Sequence, residues 1–366
     1  MENKLENEFP TKQVHRPQEP QPPFPYRVEE VSFTNAAAGV TLAGTLTMPL
    51  YNPPHTAVIL IAGMGAGDRD STMAGHKLFW VLADYLTWRG IAVLRFDKRG
   101  VGKSTGTFDT SLTSRDVADD VLAAVAYLKT RTDIRPDQIG LIGHSEGGLV
   151  AALVAAQCPD VAFLVSMAGM ATTDIPALVE EAGLQLKADG ASDELVAQSS
   201  KLWDSLLSVA KSEPDEQQAT QQMHTLITAY WKALPAELKR EAATVPFATT
   251  DANATDTIAS LNSPQYRFLL NHRPEETLAK LTIPILALNG SLDFIVAAHI
   301  NLPRITQVLK KAGNDKATIT ELPSMNHWFQ RCKKGSFAEY GELEETMSEQ
   351  AMSLISDWIA QECNRR

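Results

Sequence analysis

A series of short, largely apolar runs, separated by segments with helical periodicity, constrains the fold of this chain most strongly. The clearest run is Ala-Val-Ile-Leu-Ile-Ala at 57–62, and similar runs stand at 91–96, 139–142 and 161–167. A strand without polar side chains has to be covered on both faces, which is typical of parallel sheets. Helical patterns occupy 76–88, 114–129 (with Ser114 as N-cap) and 147–156. This alternation predicts a mostly parallel sheet with helices on both faces.

The pattern differs on either side of these runs. Residues 27–34 and 40–48 alternate with a period of two, which predicts an antiparallel pair of strands that opens the sheet. From 172 to 278 the strand runs stop, and Ala, Glu, Gln, Lys and Leu at helical spacing predict a helical insertion. The alternation then resumes, with strands at 283–288 and 318–322 and helices at 300–311 and 344–359.

Prolines set the first 25 residues apart from the rest of the chain. Six prolines fall there: Pro10, Pro17, Pro20, Pro22, Pro23 and Pro25. Such a segment cannot form a helix and favours extended structure. The predicted organisation is a Pro-rich tail or linker at 1–25, an α/β domain formed by 26–171 and 279–366, and a helical insertion at 172–278.

Composition limits the classes of partner. The 366 residues are 44% hydrophobic and 21% charged, as in ordinary globular proteins. The formal net charge of −11 repels phosphate backbones, so nucleic acid is not an expected partner. Cys158, Cys332 and Cys363 lack the spacing of a disulfide framework or a zinc site. The sequence leaves the oligomeric state, including a homo-oligomer, open.

The apolar runs are also too short for a membrane span, since none approaches roughly 18 residues. The first eight residues are polar and lack the apolar region of an export signal. The sequence as written therefore predicts a cytoplasmic protein. A periplasmic location would follow if an export signal had been removed.

One glycine-flanked serine stands between a predicted buried strand and a predicted helix, in Gly143-His144-Ser145-Glu146-Gly147. A sharp strand-to-helix turn lifts a serine hydroxyl above the strand ends and needs small neighbours, which Gly143 and Gly147 supply. The following helix N-terminus stabilises negative charge. The pattern predicts that Ser145 is a nucleophile.

A serine nucleophile needs a base and an orienting carboxylate. Of the downstream histidines, only His327 lies in the loop after the last predicted strand; the others are His224, His272 and His299. Asp293 follows the strand at 283–288, and Gly290 supports a tight turn before it. The alternative acid Asp160 precedes a strand, which places it at the wrong end of the sheet. The order Ser145, Asp293, His327 is the order of an α/β-hydrolase triad.

Negative charge on the substrate oxygen needs two N–H donors. The residue after the nucleophile supplies one, the backbone N–H of Glu146. The second is expected from the glycine-rich loop after 57–62, where Gly63 and Gly65 let the backbone approach the substrate. Met64 N–H is the first choice and Gly65 N–H the second. The Met64 side chain is then expected to line the acyl pocket.

Two glycine-rich stretches depart from the nucleotide-binding motifs that they partly match. In 97–104, Asp97 stands where a phosphate-binding loop needs its first glycine. In the loop at 63–67, Asp68 occupies the third glycine position of a dinucleotide fingerprint. No HExxH or other metal-ligand spacing occurs. We therefore expect no cofactor and no metal.

Four separated segments together resemble a bacterial carboxylesterase branch of the α/β hydrolases, related to the serine aminopeptidase-like hydrolases. They are Gly65–Asp70, Arg95–Ser104, the segment 143–147 and Asn289–Asp293. The resemblance covers roughly residues 25–362. It implies an α/β-hydrolase fold with a helical cap at 172–278. It also implies hydrolysis of short-chain acyl esters by Ser145, Asp293 and His327.

The expected function is thus that of a serine hydrolase that cleaves carboxylic esters, with a small acyl ester as substrate. The alternatives are an aminopeptidase, or another amide or thioester hydrolase, that uses the same triad. An aminopeptidase would need a carboxylate for the substrate ammonium, and Glu180 and Glu181 in the insertion are the candidates. A non-enzymatic binding protein on this scaffold would be expected to lack a triad residue, and none is lacking.

Overall fold

A computed structural model describes residues 14–109 and 111–364. They form an eight-stranded sheet of β1 (Arg27–Asn35), β2 (Val40–Met48), β3 (His55–Ile61), β6 (Ala92–Phe96), β7 (Ile134–His144), β8 (Val161–Met167), β9 (Ile285–Gly290) and β10 (Ala317–Leu322). The order of the strands across the sheet is β1-β2-β6-β3-β7-β8-β9-β10. A separate ribbon joins β4 (Thr72–Met73) to β5 (His76–Lys77). β1 and β2 are antiparallel, β2 pairs antiparallel with β6, and every other pairing within the eight-stranded sheet is parallel.

Helices cover both faces of this sheet. They are α1 (Leu78–Trp88), α2 (Ser114–Lys129), α3 (Glu146–Ala155), α11 (Ala298–Lys311), the short α12 (Phe337–Tyr340) and α13 (Glu349–Asn364). Alternate residues of β3 enter different cores, because successive side chains on a strand point to opposite faces. Ile59 packs with α2, α3 and α11, whereas Val58 packs with α1 and α13. The predicted α/β architecture is confirmed.

The segment 172–278, all of whose residues the structure describes, contains helices and no strand. They are α4 (Ile175–Ala188), α5 (Asp193–Ser212), α6 (Glu216–Ala233), α7 (Ala236–Ala242), α8 (Ala254–Asn262), α9 (Pro264–Asn271) and α10 (Pro274–Leu278). Their apolar side chains form two clusters of their own, one around Leu206 and Met223 and another around Leu195 and Leu238. These helices therefore bury most of their apolar faces against one another.

Some predicted helix starts differ from the observed ones, and two of these differences have a clear physical cause. Thr113, not Ser114, is the N-cap of α2, because the Asp116 carboxylate accepts the Thr113 N–H at 2.9 Å in a capping box. Ser114 is fully buried, and its hydroxyl donates to the Glu146 carboxylate instead of capping the helix. The last helix begins at Glu349 rather than 344, since the preceding Ser348 N–H donates to Phe329 O at 2.8 Å and belongs to a loop contact.

The described part of the Pro-rich tail packs on the α/β domain. The Arg16 guanidinium donates to the carbonyl oxygens of Ala74, Gly75, Gly341 and Leu343. Gln18 Nε2 donates to Met347 O at 2.7 Å, and its Oε1 accepts the Thr346 N–H. Residues 1–13 of the predicted tail, including Pro10, lie outside the described residues. Within the described ranges, no helix combines the length and apolar character that a membrane crossing requires.

Candidate active site

Ser145 occupies the turn between β7 and α3 in a strained backbone conformation. Its φ of 57° and ψ of −125° lie where a residue with a side chain rarely stands. The Ser145 N–H donates to Met167 O of the neighbouring strand at 2.9 Å, which holds the turn. A Cβ at Gly143 would overlap the Gly147 carbonyl, and one at Gly147 would overlap Ile61 O. Close backbone packing therefore explains both glycines, and the Ser145 side chain stays partly exposed.

Asp293 and His327 form a buried pair in the loops after β9 and β10. His327 Nδ1 lies 2.7 Å from Asp293 Oδ2, and their side chains are 5% and 0% exposed. Asp293 Oδ1 also accepts the N–H groups of Ile295 and Val296 at 2.9 Å. A carboxylate partner assigns the proton to Nδ1, which leaves Nε2 of His327 free to accept one. Asp160, the alternative acid, instead forms an ion pair with Lys129 at 2.6 Å.

His144 connects this pair to the turn that carries Ser145. Its ring centroid lies 4.6 Å from that of His327, and its Nε2 donates to His327 O at 2.9 Å. Burial, with a smaller contribution from the charge of His327, lowers the pKa of His144 to about 3. His144 is therefore neutral at physiological pH, and it packs against His327 from the position next to Ser145 in the chain. Ser145 Oγ makes no hydrogen bond to another described residue.

The loop after β3 lies against Ser145. A Cβ at Gly63 would stand 3.0 Å from the Ser145 Cβ, so this loop passes Ser145 closely enough that a side chain at position 63 would crowd it. In the described part of the chain, neither the Met64 N–H nor the Glu146 N–H has a protein acceptor. Neither predicted donor is thus engaged with another described residue. The Met64 side chain is 37% exposed, so the protein does not enclose it.

Glu146 makes contacts that the sequence did not indicate. Glu146 is only 1% exposed, and its Oε1 accepts a hydrogen bond from the Ser114 hydroxyl at 2.6 Å. Gln265 Nε2, on α9 of the helical segment, donates to Glu146 Oε2 at 3.2 Å. Glu146, the residue after Ser145, therefore joins the α/β domain to the helical segment. No spacing in the sequence could have paired it with Gln265.

Two of the segments that carry the family resemblance are joined by ion pairs. Arg69 Nη2 lies 2.8 Å from Asp97 Oδ2, and Arg95 pairs with Asp70. Burial acts to raise the pKa of Asp97, but hydrogen bonds from Arg69 and from the Lys103 N–H outweigh it and lower that pKa. The ion pairs fix the loop after β3 on the loop after β6.

The two carboxylates considered for binding an ammonium have different environments. Glu180 lies on the surface with His299 at 2.9 Å. Glu181 is buried, and its Oε1 accepts the Ala297 N–H at 2.9 Å and Asn301 Nδ2 at 2.8 Å. Burial raises the pKa of Glu181 to about 8. Glu181 is therefore largely neutral at pH 7.

Two open cavities lie away from these residues. One, of about 620 Å³, lies between α4 and α11 and is lined by Asp174, Glu180 and Arg304 among others. The other, of about 490 Å³, lies against β1 and β2 near Tyr26 and Arg95. Neither is lined by Ser145, Asp293 or His327. Among the described residues, no group of three or more His, Cys, Asp or Glu is placed to hold a metal ion.

The sequence matches the family described as serine aminopeptidase, S33 (Hydrolase_4), over residues 52–330. The chain belongs to this family of α/β hydrolases. Among similar proteins, esterase EstD of Thermotoga maritima is 36% identical over 110 residues, 30% of this hydrolase and 26% of EstD. The uncharacterized protein YfhR of Salmonella typhimurium is 31% identical over 128 residues, 34% of this hydrolase and 40% of YfhR. The matched stretches thus span less than half of these relatives.

Solved structures agree on the fold. The α/β hydrolase GrgF from Penicillium sp. sh18 has a TM-score of 0.55 at 16% identity, covering 92% of this hydrolase and 99% of that chain. The Pyrococcus furiosus esterase PF2001 has a TM-score of 0.52 at 16% identity, covering 96% and 98%. At such identities the likeness shows the α/β-hydrolase fold alone, and the activity has to be argued from the site.

Proposed function

We propose that this hydrolase cleaves carboxylic esters with short acyl chains through an acyl-enzyme on Ser145. The observation that carries the proposal is the buried His327–Asp293 hydrogen bond of 2.7 Å, at the sheet edge where Ser145 stands in its strained turn. A carboxylate-oriented imidazole beside a raised serine is the arrangement that serine hydrolases use. The short acyl chain follows from the family resemblance.

In the proposed reaction, His327 Nε2 takes the proton of Ser145 Oγ as that oxygen bonds to the ester carbonyl carbon. The carbonyl electrons move onto oxygen, and the N–H groups of Met64 and Glu146 stabilise the oxyanion. When the carbonyl re-forms, the ester C–O bond breaks and the alcohol leaves with the proton from Nε2. Water then attacks the acyl-enzyme by the same steps, while Asp293 balances the charge on the imidazole.

We further propose that the helical segment at 172–278 serves as a cap that limits which acyl groups reach Ser145. Two contacts support this role. Gln265 reaches Glu146 beside the nucleophile, and Glu181 binds the N-terminus of α11 close to Asp293. The α/β domain of 26–171 and 279–366 then carries the chemistry.

Replacing the nucleophile tests the proposal directly. We expect Ser145→Ala to lower kcat for p-nitrophenyl butyrate by about 10⁴-fold or more with the fold intact, since no other group replaces the attacking oxygen. A fluorophosphonate probe should label the parent protein at Ser145 and fail to label the variant. Ser205→Ala, on the exposed face of α5, is the matched control and should keep full activity. A Ser145→Ala variant with near-parent activity would refute the mechanism.

The aminopeptidase alternative is less well supported by the site. A substrate ammonium needs an ionised carboxylate, but Glu180 faces solvent and Glu181 is largely neutral at pH 7. Comparing kcat/KM for amino-acyl anilides with that for acyl esters separates the two activities. Faster cleavage of the anilides would replace the esterase proposal, and absence of fluorophosphonate labelling would favour a binding protein.

A further inference from the structure

Lys98 has no role in the mechanism above, although it lies directly beneath the loop after β3. Lys98 is 5% exposed and directly follows Asp97 in the loop after β6. Its Nζ donates to Gly63 O and, at 3.0 Å, to Gly65 O. Its backbone N–H donates to Gly67 O at 3.2 Å. Lys98 thus binds three carbonyls of a five-residue loop, two through its side chain and one through its backbone N–H.

The carbonyl that Lys98 binds belongs to the same peptide unit as the proposed oxyanion donor. A peptide bond is planar and trans, so its C=O and N–H point in opposite directions. A bond from Lys98 Nζ to Gly63 O therefore directs the Met64 N–H away from Lys98. Gly63 touches Ser145, with an added Cβ only 3.0 Å from the Ser145 Cβ. Lys98 therefore sets the direction of the Met64 N–H, the proposed oxyanion donor, in the loop that lies against Ser145.

Glycine gives this loop many alternative conformations, since Gly63, Gly65 and Gly67 all lack a Cβ. Rotation of the 63–64 peptide would change the direction of the Met64 N–H at little steric cost. A charged donor on the carbonyl opposes that rotation, and it also polarises the peptide, which makes the N–H a stronger donor. Catalysis by an oxyanion site depends on donors that are oriented before the reaction.

We propose that Lys98 is a positioning residue for the oxyanion site and acts through the Gly63–Met64 peptide. The proposal rests on the serine-esterase function proposed above. It assigns Lys98 an effect on the transition state rather than on ester binding, because the oxyanion forms only as Ser145 attacks. The substrate carbonyl in the ground state gains less from the same N–H.

The test uses Lys98→Met, which keeps the length of the stem without the charge, and Lys98→Gln, which keeps polarity. We expect kcat per fluorophosphonate-labelled site to fall about 10- to 100-fold in both, with KM within about threefold. The affinity for a trifluoromethyl ketone, which forms a tetrahedral oxyanion on Ser145, should fall by the same factor as kcat. Lys103→Met removes a surface lysine of the same loop and should leave all three values unchanged.

Either folded Lys98 variant decides the question. A purely structural role would lower the thermal midpoint and the number of labelled sites but leave kcat per site and ketone affinity at parent values, which would overturn the proposal. A rise in KM without a loss of kcat would also overturn it. If Ser145→Ala keeps activity, the esterase function itself fails, whereas a silent Lys98 variant beside an inactive Ser145→Ala refutes only the role of Lys98.

Discussion

The carboxyl edge of the sheet and the helical segment at 172–278 reach the candidate site in different ways. At the sheet edge, Asp293 accepts hydrogen bonds from two backbone N–H groups and from His327 Nδ1, so the loops after β9 and β10 fix its carboxylate. The helical segment contributes side-chain contacts, from Gln265 to Glu146 and from Glu181 to α11. Its apolar clusters are its own. Chemistry is therefore expected to depend on the edge, and substrate choice on the helical segment.

The largest effect beyond the nucleophile is expected at the sheet edge, from Asp293→Asn. We expect kcat for p-nitrophenyl butyrate to fall by about 10³- to 10⁴-fold, because an amide cannot balance the imidazolium and favours the wrong tautomer of His327. Asp160→Asn, which removes an exposed ion pair with Lys129, is the control and should keep kcat within about twofold. A folded Asp293→Asn enzyme with parent kcat would exclude Asp293 from the site.

A stability comparison of two glycines addresses the same contrast. At Gly143 an added Cβ overlaps a backbone carbonyl, so Gly143→Ala should lower the free energy of unfolding by about 3 kcal/mol. At Gly183 in α4 the nearest atom is 3.3 Å away on the Val196 side chain. Gly183→Ala should change stability by less than about 1 kcal/mol, since the helix gains from alanine. Equal urea midpoints for the two variants would contradict the close packing of the serine turn.

The fold was predictable because the pattern of apolar and polar residues in each strand reflects which of its faces are buried. All seven residues of β8 are buried, and the sequence shows a matching apolar run. β1 alternates because one face stays exposed, and its pairing with β2 follows the predicted antiparallel order. Positions on the strands also let the sequence group Ser145, Asp293 and His327 at one edge, since parallel strands end together. Their catalytic roles stay predictions.

Contacts between distant side chains could not be predicted in the same way. Ser114 looked like a helix cap, yet it is buried and binds Glu146, because α2 packs beside α3. Glu180 and Glu181 are neighbours in sequence, but one faces solvent and the other the α11 N-terminus. Such differences depend on how a helix is rotated against the sheet, and the helical period does not specify that rotation.

Glu181 gives the helical segment a pH dependence of its own. Burial raises its folded-state pKa from 4.5 to about 8, while Asn301 and the Ala297 N–H oppose the shift and Asp293 and Glu180 add to it. Its contribution to stability is full below pH 4.5 and is lost as pH rises through 8. The difference in unfolding free energy between Glu181→Gln and the parent should therefore shift by about 1–3 kcal/mol in favour of the variant as the pH rises from 5 to 8.5. Glu180→Gln is the control, and a pH-independent difference would show that Glu181 ionises normally.

The smallest and most selective effect is expected from Gln265→Ala, which removes the donor that the helical segment places on Glu146. Glu146 keeps its bond from Ser114, so the nucleophile turn should hold, and kcat for p-nitrophenyl acetate should stay within about threefold. Under the proposed cap role, longer acyl chains extend further toward the helical segment. The ratio of kcat/KM for p-nitrophenyl octanoate to that for p-nitrophenyl acetate should therefore change by about three- to tenfold. Asn271→Ala, an exposed position on the same helix, should leave that ratio unchanged. An equal loss of kcat for both esters would mean that Gln265 affects the chemical step through Glu146. The assignment of chemistry to the sheet edge and of substrate choice to the helical segment would then be wrong.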